Sequence, residues 1–348
     1  MQLWNKLSKE ELVEKLKEHG TQFVTVSFYQ YASIPNPQIF RDHLFTMWSE
    51  LGVVGRTYIA NEGINAQMGV PADRFYQFKE ALYTISFLDG IRLNIAVDES
   101  EAEFPFLKLK IKIRPKILAD GLNDDSFDVT NKGKHLKAEE FNQLVNDKDT
   151  VLIDMRNHYE TEVGHFEGAI TPDVDTFRES LPIIEDEILN GNKDKNIVMY
   201  CTGGIRCEKA SAWYKHRGFE KVHQLEGGII KYANDCNDQG IENKFIGKNF
   251  VFDERRGERI TDDVIAVCHQ CGESCDTHTN CENDACHLLF IQCENCRKKH
   301  AGCCSEECHE ISLLPVEEQR TLRKGKNDSN KIFKKGRSEK LKFKADKL

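Results

Sequence analysis

The chain lacks any long apolar run. Its 348 residues contain no stretch that approaches the roughly 18 apolar residues of a membrane span. The opening segment MQLWNKLSKEELVEKLKEHG has no apolar core of the kind that a signal peptide needs. Hydrophobic residues make up 39% and charged residues 30% of the chain, which is typical of a globular protein with a buried core. We therefore expect a cytoplasmic protein that does not associate with membranes.

No internal repeat is present, and the length predicts two or three domains. The net charge of −9 is unevenly distributed, because residues 323–348 contain eleven Lys or Arg against three Asp or Glu. An acidic body with a basic tail is typical of a protein that binds an anionic partner. A disordered tail that only increases solubility is the alternative. We expect residues 313–348 to form a basic, disordered tail.

The first 120 residues predict a helix followed by an α+β domain. Ser8 and Glu11 form a capping-box pattern, and Gly20 closes a short amphipathic helix within residues 1–20. Residues 21–120 then alternate as strand, helix, strand, strand, helix and strand. This βαββαβ order predicts a ferredoxin-like domain.

The segment LKLKIKIRPK near the end of that domain alternates between apolar and basic side chains. Side chains alternate across a strand, so the cations share one face. We interpret this face as a candidate RNA-binding surface for the phosphate backbone. A half-buried strand with a solvated outer face is the alternative. The four candidate contacts are Lys108, Lys110, Lys112 and Arg114.

Residues 121–245 predict a second domain, after a turn-rich linker. The apolar runs TVLIDM, NIVMYC and KVHQLEG alternate with helical segments. That pattern predicts an α/β domain with a parallel sheet and crossover helices. The whole chain is therefore expected to be a multidomain protein of mixed α/β and α+β class.

The loop CTGGIRC lies between a predicted strand and a predicted helix of this second domain. Its backbone N–H groups and the positive end of the helix stabilise a thiolate, so Cys201 is the candidate nucleophile. Arg206 can balance anionic charge and is the second candidate catalytic residue. The remaining active-site loop residues are Thr202, Gly203, Gly204 and Ile205.

Three ordered motifs of this region resemble a rhodanese domain. VLIDMRNHYETEVGHFEGAI is similar to the early signature, NIVMYCTGGIRCEKA to the active-site loop and KVHQLEGGI to the late signature. The resemblance implies that Cys201 is catalytic and that Asp154 and Arg156 serve the fold. Rhodanese-like phosphatases use a C-x5-R loop, whereas Cys201 and Arg206 are separated by four residues, which disfavours a phosphatase.

Three further residues of this domain carry open alternatives. Cys207 either resolves an oxidised or persulfidated Cys201 or is simply a small buried residue on the first helical turn. Cys236 is expected to be structural. For His165, a role in the fold is favoured over a role as general base.

Ten of the thirteen cysteines lie between Cys268 and Cys308. We expect them to belong to a cysteine-rich zinc-binding module at residues 246–312. Paired thiolates at CxxC spacing are typical of zinc ligands, and without metal so small a segment cannot build an adequate core. Ten cysteines exceed one site, so we expect two structural zinc ions. One would take Cys268, Cys271, Cys293 and Cys296, and the other Cys281, Cys286, Cys304 and Cys308, with Cys303 as a competing ligand and Cys275 free.

The combination of parts is more specific than the rhodanese signatures alone. YIANEGINAQ in the first domain, the CTGGIRC loop, and FIQCENC with GCCSEEC resemble the bacterial oxygen-dependent tRNA uridine hydroxylase family over about residues 20–312. The resemblance implies a tRNA-modifying oxidoreductase that converts the wobble uridine, position 34, to 5-hydroxyuridine. Its substrates would be tRNA and molecular oxygen, and no haem or flavin is expected.

Two other functions compete with hydroxylation. A sulfurtransferase would carry a persulfide on Cys201, and a non-catalytic zinc-dependent protein would bind RNA through the same surfaces. Aromatic residues of the first domain are candidate stacking platforms for an unpaired base, with burial in the core as the alternative. They are Phe28, Tyr29 and Tyr31, and Arg297, Lys298 and Lys299 add candidate phosphate contacts in the cysteine-rich part.

Overall fold

The computed structural model describes residues 9–18, 22–98, 104–124, 126–324, 335–339 and 341. The expected N-terminal helix is present as α1 (Lys9–Glu18), while Ser8 and Gly20, its expected boundary residues, lie outside the described residues. Within the described part of the chain, no helix is both long and apolar enough to cross a membrane.

A five-stranded sheet with two helices on one face forms the first domain. The sheet order is β4-β1-β3-β2-β5, in which β3 is antiparallel to both β1 and β2, β4 is antiparallel to β1, and β5 is parallel to β2. The predicted βαββαβ order is therefore confirmed. The elements are β1 (Phe23–Tyr31), α2 (Pro37–Glu50), β2 (Val54–Ala60), β3 (Gly63–Pro71), α3 (Phe75–Tyr83), β4 (Asn94–Ile95) and β5 (Leu109–Ile113).

The two helices bury their apolar stripes against one side of this sheet. Leu44 and Trp48 of α2 and Phe78 of α3 are fully buried in one core cluster with sheet residues such as Met68. Asn36 begins α2 by accepting a hydrogen bond from the N–H of Ile39 at 3.1 Å. The face opposite α2 and α3 turns toward the second domain, and at one end of this face Phe23 and Val54 pack against Val13 and Leu16 of α1.

The basic strand is shorter than expected and lies at the edge of the sheet. Lys108 and Lys110 are exposed and Ile111 is buried, as alternation requires, but Ile113 is 39% exposed. An edge strand has a neighbour on one side only, so its last apolar residue is not covered. Ile113 is therefore exposed although alternation places it on the same face as the buried Ile111.

The second domain has the expected parallel sheet with crossover helices. Its order is β6-β10-β9-β7, and every neighbouring pair is parallel. The elements are β6 (Lys134–Leu136), α4 (Ala138–Leu144), β7 (Thr150–Asp154), α5 (His158–Thr161), β8 (Gly164–Phe166), α6 (Phe177–Ile183), β9 (Asn196–Tyr200), α7 (Ile205–His216), β10 (Val222–Leu225) and α8 (Gly228–Gln239).

The cysteine-rich part is joined to the second domain through strand pairing. β11 pairs antiparallel with β8, and β13 pairs antiparallel with β14. Its elements are β11 (Phe245–Asn249), β12 (Glu258–Arg259), β13 (His278–Asn280), β14 (Leu289–Ile291), α9 (Glu294–Lys299), α10 (Glu306–Ser312) and α11 (Val316–Arg323).

The described parts of the basic tail differ from the disordered segment that we expect from the sequence. Residues 316–323 form α11, and Gly336 donates its N–H to the carbonyl of Leu289 at 2.7 Å. Arg337 pairs with Asp173 and Asp175. Leu341 is 4% exposed and packs in a core cluster with Cys281, Cys286, Cys303, Cys304 and Cys308. Apolar burial and ion pairing attach this segment, which a composition of lysines and glycines does not reveal.

Candidate active site and metal clusters

The loop that carries Cys201 is shaped by the end of β9 and the start of α7. Gly204 immediately precedes the helix with φ +104°, and its N–H donates to the Sγ of Cys201 at 3.2 Å. A Cβ atom at Gly204 would lie 2.9 Å from the hydroxyl of Tyr29. Glycine is therefore required here by both backbone conformation and space.

The late signature supports the same loop from behind. The N–H of Ile229 donates to the carbonyl of Cys201 at 3.0 Å. Gly228 has φ +66°, and a Cβ atom there would lie 2.4 Å from that carbonyl oxygen. The glycine pair at the start of α8 thus lets the helix approach the loop closely enough to hold it.

Cys201 is almost fully buried, and its surroundings favour the thiolate. Burial alone would raise the pKa of Cys201. Hydrogen bonds from the thiol of Cys207 and from the N–H groups of Cys207 and Gly204, together with the charge of Arg206, outweigh burial and lower that pKa to about 6. Cys201 is therefore largely ionised at neutral pH. For Cys207, burial and the neighbouring thiolate raise the pKa, so its thiol keeps its proton and donates it to the hydrogen bond.

Arg206 is held by a residue that the sequence analysis did not select as functional. Its guanidinium donates to both carboxylate oxygens of Glu160, at 2.7 and 2.8 Å, and to the Oγ1 of Thr202 at 3.3 Å. Burial would raise the pKa of Glu160, but the charge of Arg206 holds it below its ordinary value. The only sequence signal for Glu160 is its position in the early rhodanese signature.

A cavity of about 320 Å³ opens onto the loop, a size suited to a small ligand. Most of its lining belongs to three walls, formed by the active-site loop, by the face of the first sheet opposite α2 and α3, and by residues 251–258, and the lining is completed by Leu118, Asn157, Phe177 and Ile230. Cys201, Thr202, Gly203, Ile205 and Arg206 all line it. The candidate catalytic and loop residues are therefore brought together, except that Gly204 is not part of the lining.

Direct contacts hold the first domain against this loop. The Nδ2 of Asn94 donates to the carbonyl of Gly203 at 3.2 Å, and the hydroxyl of Tyr29 donates to Glu208 at 3.4 Å. Lys209 pairs with Glu62 at 2.8 Å. Since Glu208 and Lys209 belong to α7, the helix that follows Cys201 is packed against the first domain.

The third wall contains a buried carboxyl with an unusual pKa. Burial raises the pKa of Glu258 to about 7, and the like charge of Asp253 adds to this rise. The hydrogen bond that Arg255 donates to Glu258 at 2.7 Å opposes the rise but does not cancel it. A carboxyl that titrates near neutral pH can accept or donate a proton during a reaction. Sequence analysis missed Glu258, since nothing in FDERRGER distinguishes it from its charged neighbours.

The three candidate stacking aromatics have different surroundings. Phe28 borders the cavity, but it is 2% exposed and packs against Trp48 of α2, so the alternative of burial in the core applies to it. Tyr29 lines the cavity. Tyr31 lies beneath Lys209 and contacts Tyr29, and it does not line the cavity. Alternation along β1 explains why Tyr29 and Phe28 face opposite sides of the sheet.

The basic strand lies beside the cavity rather than apart from it. Lys110 is in register with Arg56, and Lys112 with Tyr58, and both partners line the cavity. Burial together with the charges of Lys112, Lys108 and Arg56 lowers the pKa of Lys110. Within the described residues, none of Arg56, Lys108, Lys110, Lys112 and Arg114 forms an ion pair. Of these five cations, Arg56 lines the cavity of Cys201, and Lys110 is its neighbour across the sheet.

The eight cysteines expected to hold metal converge in the two groups of four that their spacing predicts. In each group the four sulfur atoms lie within 4.8 Å of one another. Four thiolates at such distances suit one tetrahedral metal ion per group. The groups are Cys268, Cys271, Cys293 and Cys296, and Cys281, Cys286, Cys304 and Cys308.

Other singled-out residues lie outside the cavity and both cysteine groups. The thiol of Cys303 contacts Ser312, and Cys275 accepts a bond from the N–H of Thr277. Cys236 is buried in the core of the second domain. His165 contacts the carbonyl of Phe166 and does not line the cavity. Asp154 and Arg156 form a fully buried ion pair, as a role in the fold requires.

Part of the tail reaches the rear of the site. The Nζ of Lys335 lies 3.8 Å from the centre of the Tyr159 ring and also faces Phe252, which lines the cavity. Burial lowers the pKa of Lys335 to about 8, while the nearby carboxylate of Glu160 opposes that decrease. This approach was not anticipated, because it depends on a contact between residues far apart in the chain.

Together, the parallel sheet, the cysteine loop after β9 and the flanking parts define a multidomain rhodanese enzyme. Residues 137–235 match the family described as "Rhodanese-like domain", residues 23–117 the "UPF0176 acylphosphatase like domain", and residues 246–309 the "Rhodanase C-terminal" family. A solved rhodanese-like domain protein from Staphylococcus aureus is 24% identical over 28% of this chain and 90% of its own, with a TM-score of 0.24.

Full-length relatives identify the family itself. The tRNA uridine(34) hydroxylase of Yersinia pestis (strain Pestoides F) is 55% identical over 336 residues, or 96% of this chain and 94% of that protein. The tRNA uridine(34) hydroxylase of Enterobacter sp. (strain 638) is 54% identical over 96% of this chain and 95% of that protein. The chain belongs to the tRNA uridine(34) hydroxylase family, a group of oxidoreductases.

Proposed function

We propose that the chain hydroxylates uridine 34 of tRNA at C5, with Cys201 as the nucleophile and molecular oxygen as co-substrate. The observation that carries this proposal is the buried thiolate of Cys201 in the lining of a cavity that Arg56 also lines, with Lys110 of β5 next to Arg56 in the sheet. A base can reach Cys201 in this protein cavity only if it is turned out of the RNA stack. The anticodon loop of a tRNA presents unpaired bases that can be turned out in this way.

The chemistry begins with addition of the thiolate to the uracil ring. The Sγ of Cys201 forms a bond to C6, and the electron pair of the C5–C6 double bond becomes an enolate. C5 of the enolate forms a bond to one atom of molecular oxygen, and the other oxygen atom takes up a proton from solvent to give a hydroperoxide. A thiol reductant supplies two electrons and two protons that convert the resulting hydroperoxide of the base to an alcohol and water. Loss of the C5 proton and breakage of the C6–S bond then release 5-hydroxyuridine and the thiolate.

Three protein groups have defined tasks in this scheme. Arg206 and the loop N–H groups stabilise negative charge beside Cys201 before addition and after release. Glu258, whose pKa of about 7 suits proton transfer, accepts the C5 proton. Glu160 acts through Arg206 and is a positioning residue.

The cations along β5 are the proposed contacts to the RNA backbone. Lys108, Lys110, Lys112 and Arg114 neutralise phosphates, and each lost phosphate contact decreases the salt dependence of binding by roughly 0.7 to 0.9 in a double-logarithmic plot. A Lys110→Ala/Lys112→Ala variant should bind tRNA more weakly and with a shallower salt dependence. A variant with unchanged slope would remove this strand from the interface. Arg297, Lys298 and Lys299 remain candidates on α9.

Zinc is the metal that we propose for the two cysteine groups. Four thiolates in a tetrahedral arrangement favour zinc, and a group with four protein ligands leaves no position for substrate. The metal would therefore hold the third wall of the cavity in place and take no part in the reaction. No step of the scheme above passes through it.

Incubation of the purified protein with unmodified tRNA, a thiol reductant and oxygen-18 gas tests the function. Nucleoside mass spectrometry should show 5-hydroxyuridine that carries one heavy oxygen atom. The label is needed because the addition of an ordinary oxygen atom and the replacement of oxygen by sulfur raise the mass of the nucleoside almost equally. Only hydroxylation incorporates the heavy oxygen from the gas. Cys201→Ala should give no product, whereas Cys236→Ala, a core cysteine outside the cavity, should retain activity.

The sulfurtransferase alternative makes the opposite prediction in the same experiment. It requires a sulfur donor, works without oxygen and yields a thiolated base with no heavy oxygen. A Cys201→Ala variant that still forms 5-hydroxyuridine would contradict the nucleophile and favour the non-catalytic alternative.

A further inference from the structure

A second cavity, of about 420 Å³, lies beside the first. Tyr58 of β2 lines both cavities, so they meet at its ring. The other walls come from the segment after β5, between Arg114 and Asn123, and from Arg178 of α6. Neither the family assignment nor the chemistry at Cys201 uses this space.

The walls of the second cavity combine flat apolar surfaces with cations. Pro115, Ile117 and Leu122 contribute apolar lining next to the half-exposed ring of Tyr58. The guanidinium of Arg114 lies 5.7 Å from the centre of that ring. A ring beside a guanidinium is the arrangement on which proteins stack unpaired bases.

The charges of this cavity also favour an anion. Lys116 is neutralised by Asp120 at 2.7 Å and donates to the carbonyl of Leu122 at 2.6 Å. Arg114 and Arg178, in contrast, form no ion pair with any residue that the structure describes. Two guanidinium groups without a counter-charge in the lining of a largely apolar cavity suit a phosphate attached to a base.

The location of the second cavity beside the first limits the classes of ligand that it can bind. Consecutive nucleotides are covalently joined, so the neighbour of a uridine in the Cys201 cavity has to lie at the mouth of that cavity. Tyr58 and Arg56 line that cavity, and Lys112 and Lys110 of β5 are in register with them. The second cavity therefore faces the adjoining nucleotide and not a separate small molecule.

We propose that the second cavity is a nucleotide subsite, in which the base next to the target uridine stacks on Tyr58 and its phosphate binds Arg114 and Arg178. This inference rests on the proposed function, because it needs RNA as the substrate. It assigns these three residues to substrate positioning and makes the neighbouring base part of what the enzyme recognises.

The test compares anticodon stem-loop RNAs that carry an intact or an abasic nucleotide on either side of the target uridine. For the wild-type protein, one of the two abasic RNAs should lose about tenfold in kcat/KM, which is within the range measured for one stacked base. Tyr58→Leu should be equally slow on that abasic RNA and on the intact RNA, since it cannot stack either base. Tyr58→Phe keeps the ring and should retain the wild-type preference.

The phosphate part of the subsite has its own variant. Arg178→Ala should raise KM and decrease the salt dependence of binding with little change in kcat. Lys195→Ala is the matched control, because Lys195 lies before β9 at the opposite end of the parallel sheet from Cys201 and pairs with Asp149. An Arg178→Ala variant with the KM of the control would overturn the phosphate assignment.

Two outcomes separate this inference from the proposed function. If the wild-type protein hydroxylates intact RNA and both abasic RNAs equally well, the subsite is wrong and the function stands. If it hydroxylates no intact RNA, the function itself is wrong and the inference falls with it. The abasic comparison uses the wild-type protein, so it decides the question even where a Tyr58 variant fails to fold.

Discussion

Arg206 and Glu160 form a buried ion pair with two hydrogen bonds, of 2.7 and 2.8 Å, next to the sulfur of Cys201. The side chain of Glu160 is fully buried and that of Arg206 is 8% exposed. The pair orients the guanidinium, so the positive charge beside the thiolate has a defined position rather than a mobile one. Glu160 thereby connects the early rhodanese signature with the active-site loop.

Removal of the Glu160 charge should destabilise the protein. Glu160→Gln leaves a buried guanidinium without its counter-charge, which costs about 3 to 5 kcal/mol in comparable pairs. The free energy of unfolding from denaturant titration measures this. Glu187→Gln, at an exposed position close to α6, is the control and should change stability by less than about 0.5 kcal/mol. Equal unfolding midpoints for both variants would contradict the role of the pair.

The reactivity of Cys201 should follow a titration near pH 6. Thiolates and not thiols react with iodoacetamide, so the rate of alkylation should rise with pH and level off above the pKa of about 6. Peptide mass spectrometry assigns the rate to this cysteine. Arg206→Gln removes the neighbouring charge and should raise that pKa by about 1 or more. An alkylation rate that still rises above pH 8 in the wild-type protein would disprove the activated thiolate.

Substitutions of Cys207 distinguish a hydrogen-bond donor from a resolving cysteine. The structure has its protonated thiol donating to Cys201, so Cys207→Ala should raise the pKa of Cys201 and slow hydroxylation at pH 7. Cys207→Ser keeps a donor and should retain most of the activity. If the serine variant is as impaired as the alanine variant, the sulfur of Cys207 takes part in chemistry.

Replacement of Glu258 by glutamine should raise the stability of the protein and lower its activity. Its pKa in the folded protein, about 7, exceeds the ordinary 4.5, so the folded state binds the proton more tightly than the unfolded chain. This contribution to stability is complete below pH 4.5 and is lost as the pH rises through 7. Glu258→Gln should therefore raise the unfolding midpoint at pH 8, much less at pH 5, and lower kcat.

A control and a contrary outcome accompany the Glu258 experiment. Glu318→Gln, at an exposed position on α11, should change neither the unfolding midpoint nor kcat at either pH. A Glu258→Gln variant with wild-type kcat across the pH range would exclude Glu258 from proton transfer, whatever its stability.

Metal content should follow the two cysteine groups independently. The purified protein is expected to contain two zinc ions per chain, measured by plasma emission spectrometry. Cys271→Ser and Cys286→Ser should each lower the content to one, because each removes a ligand from a different group. Cys303→Ser is the control and should leave two ions, since Cys303 belongs to neither group. A loss of metal in the control would require a different ligand set.

Local spacing explains what could be predicted from the sequence. The nucleophile, the C-x4-R loop and the individual cysteine pairs are defined by residues within a few positions of one another. Each group of four joins two such pairs, with 22 positions between Cys271 and Cys293 and 18 between Cys286 and Cys304. Turns and helix starts place such neighbours together in any fold that contains the motif. The βαββαβ and parallel-sheet domains were predictable for a similar reason, because strand and helix periodicity is recorded along the chain.

Contacts between distant segments account for what could not be predicted. Glu160 meets Arg206 across 46 positions, and Tyr29 meets Glu208 across 179. Phe28 and Tyr29 are adjacent aromatics, yet only the packing of α2 determined which of them was core. Lys335 reaches Tyr159 from the tail, although composition alone predicted a disordered segment.

The sequence by itself therefore determined the reactive group and the metal ligands of this protein. The tertiary structure alone decided that the face of the first sheet opposite α2 and α3 forms a wall of the Cys201 cavity. It also decided that Tyr58 lines two cavities and that Lys110 and Lys112 of β5 are in register with residues of that wall. The physical reason is that a nucleophile depends on its immediate neighbours, whereas a cavity exists only between surfaces that separate parts of the chain bring together.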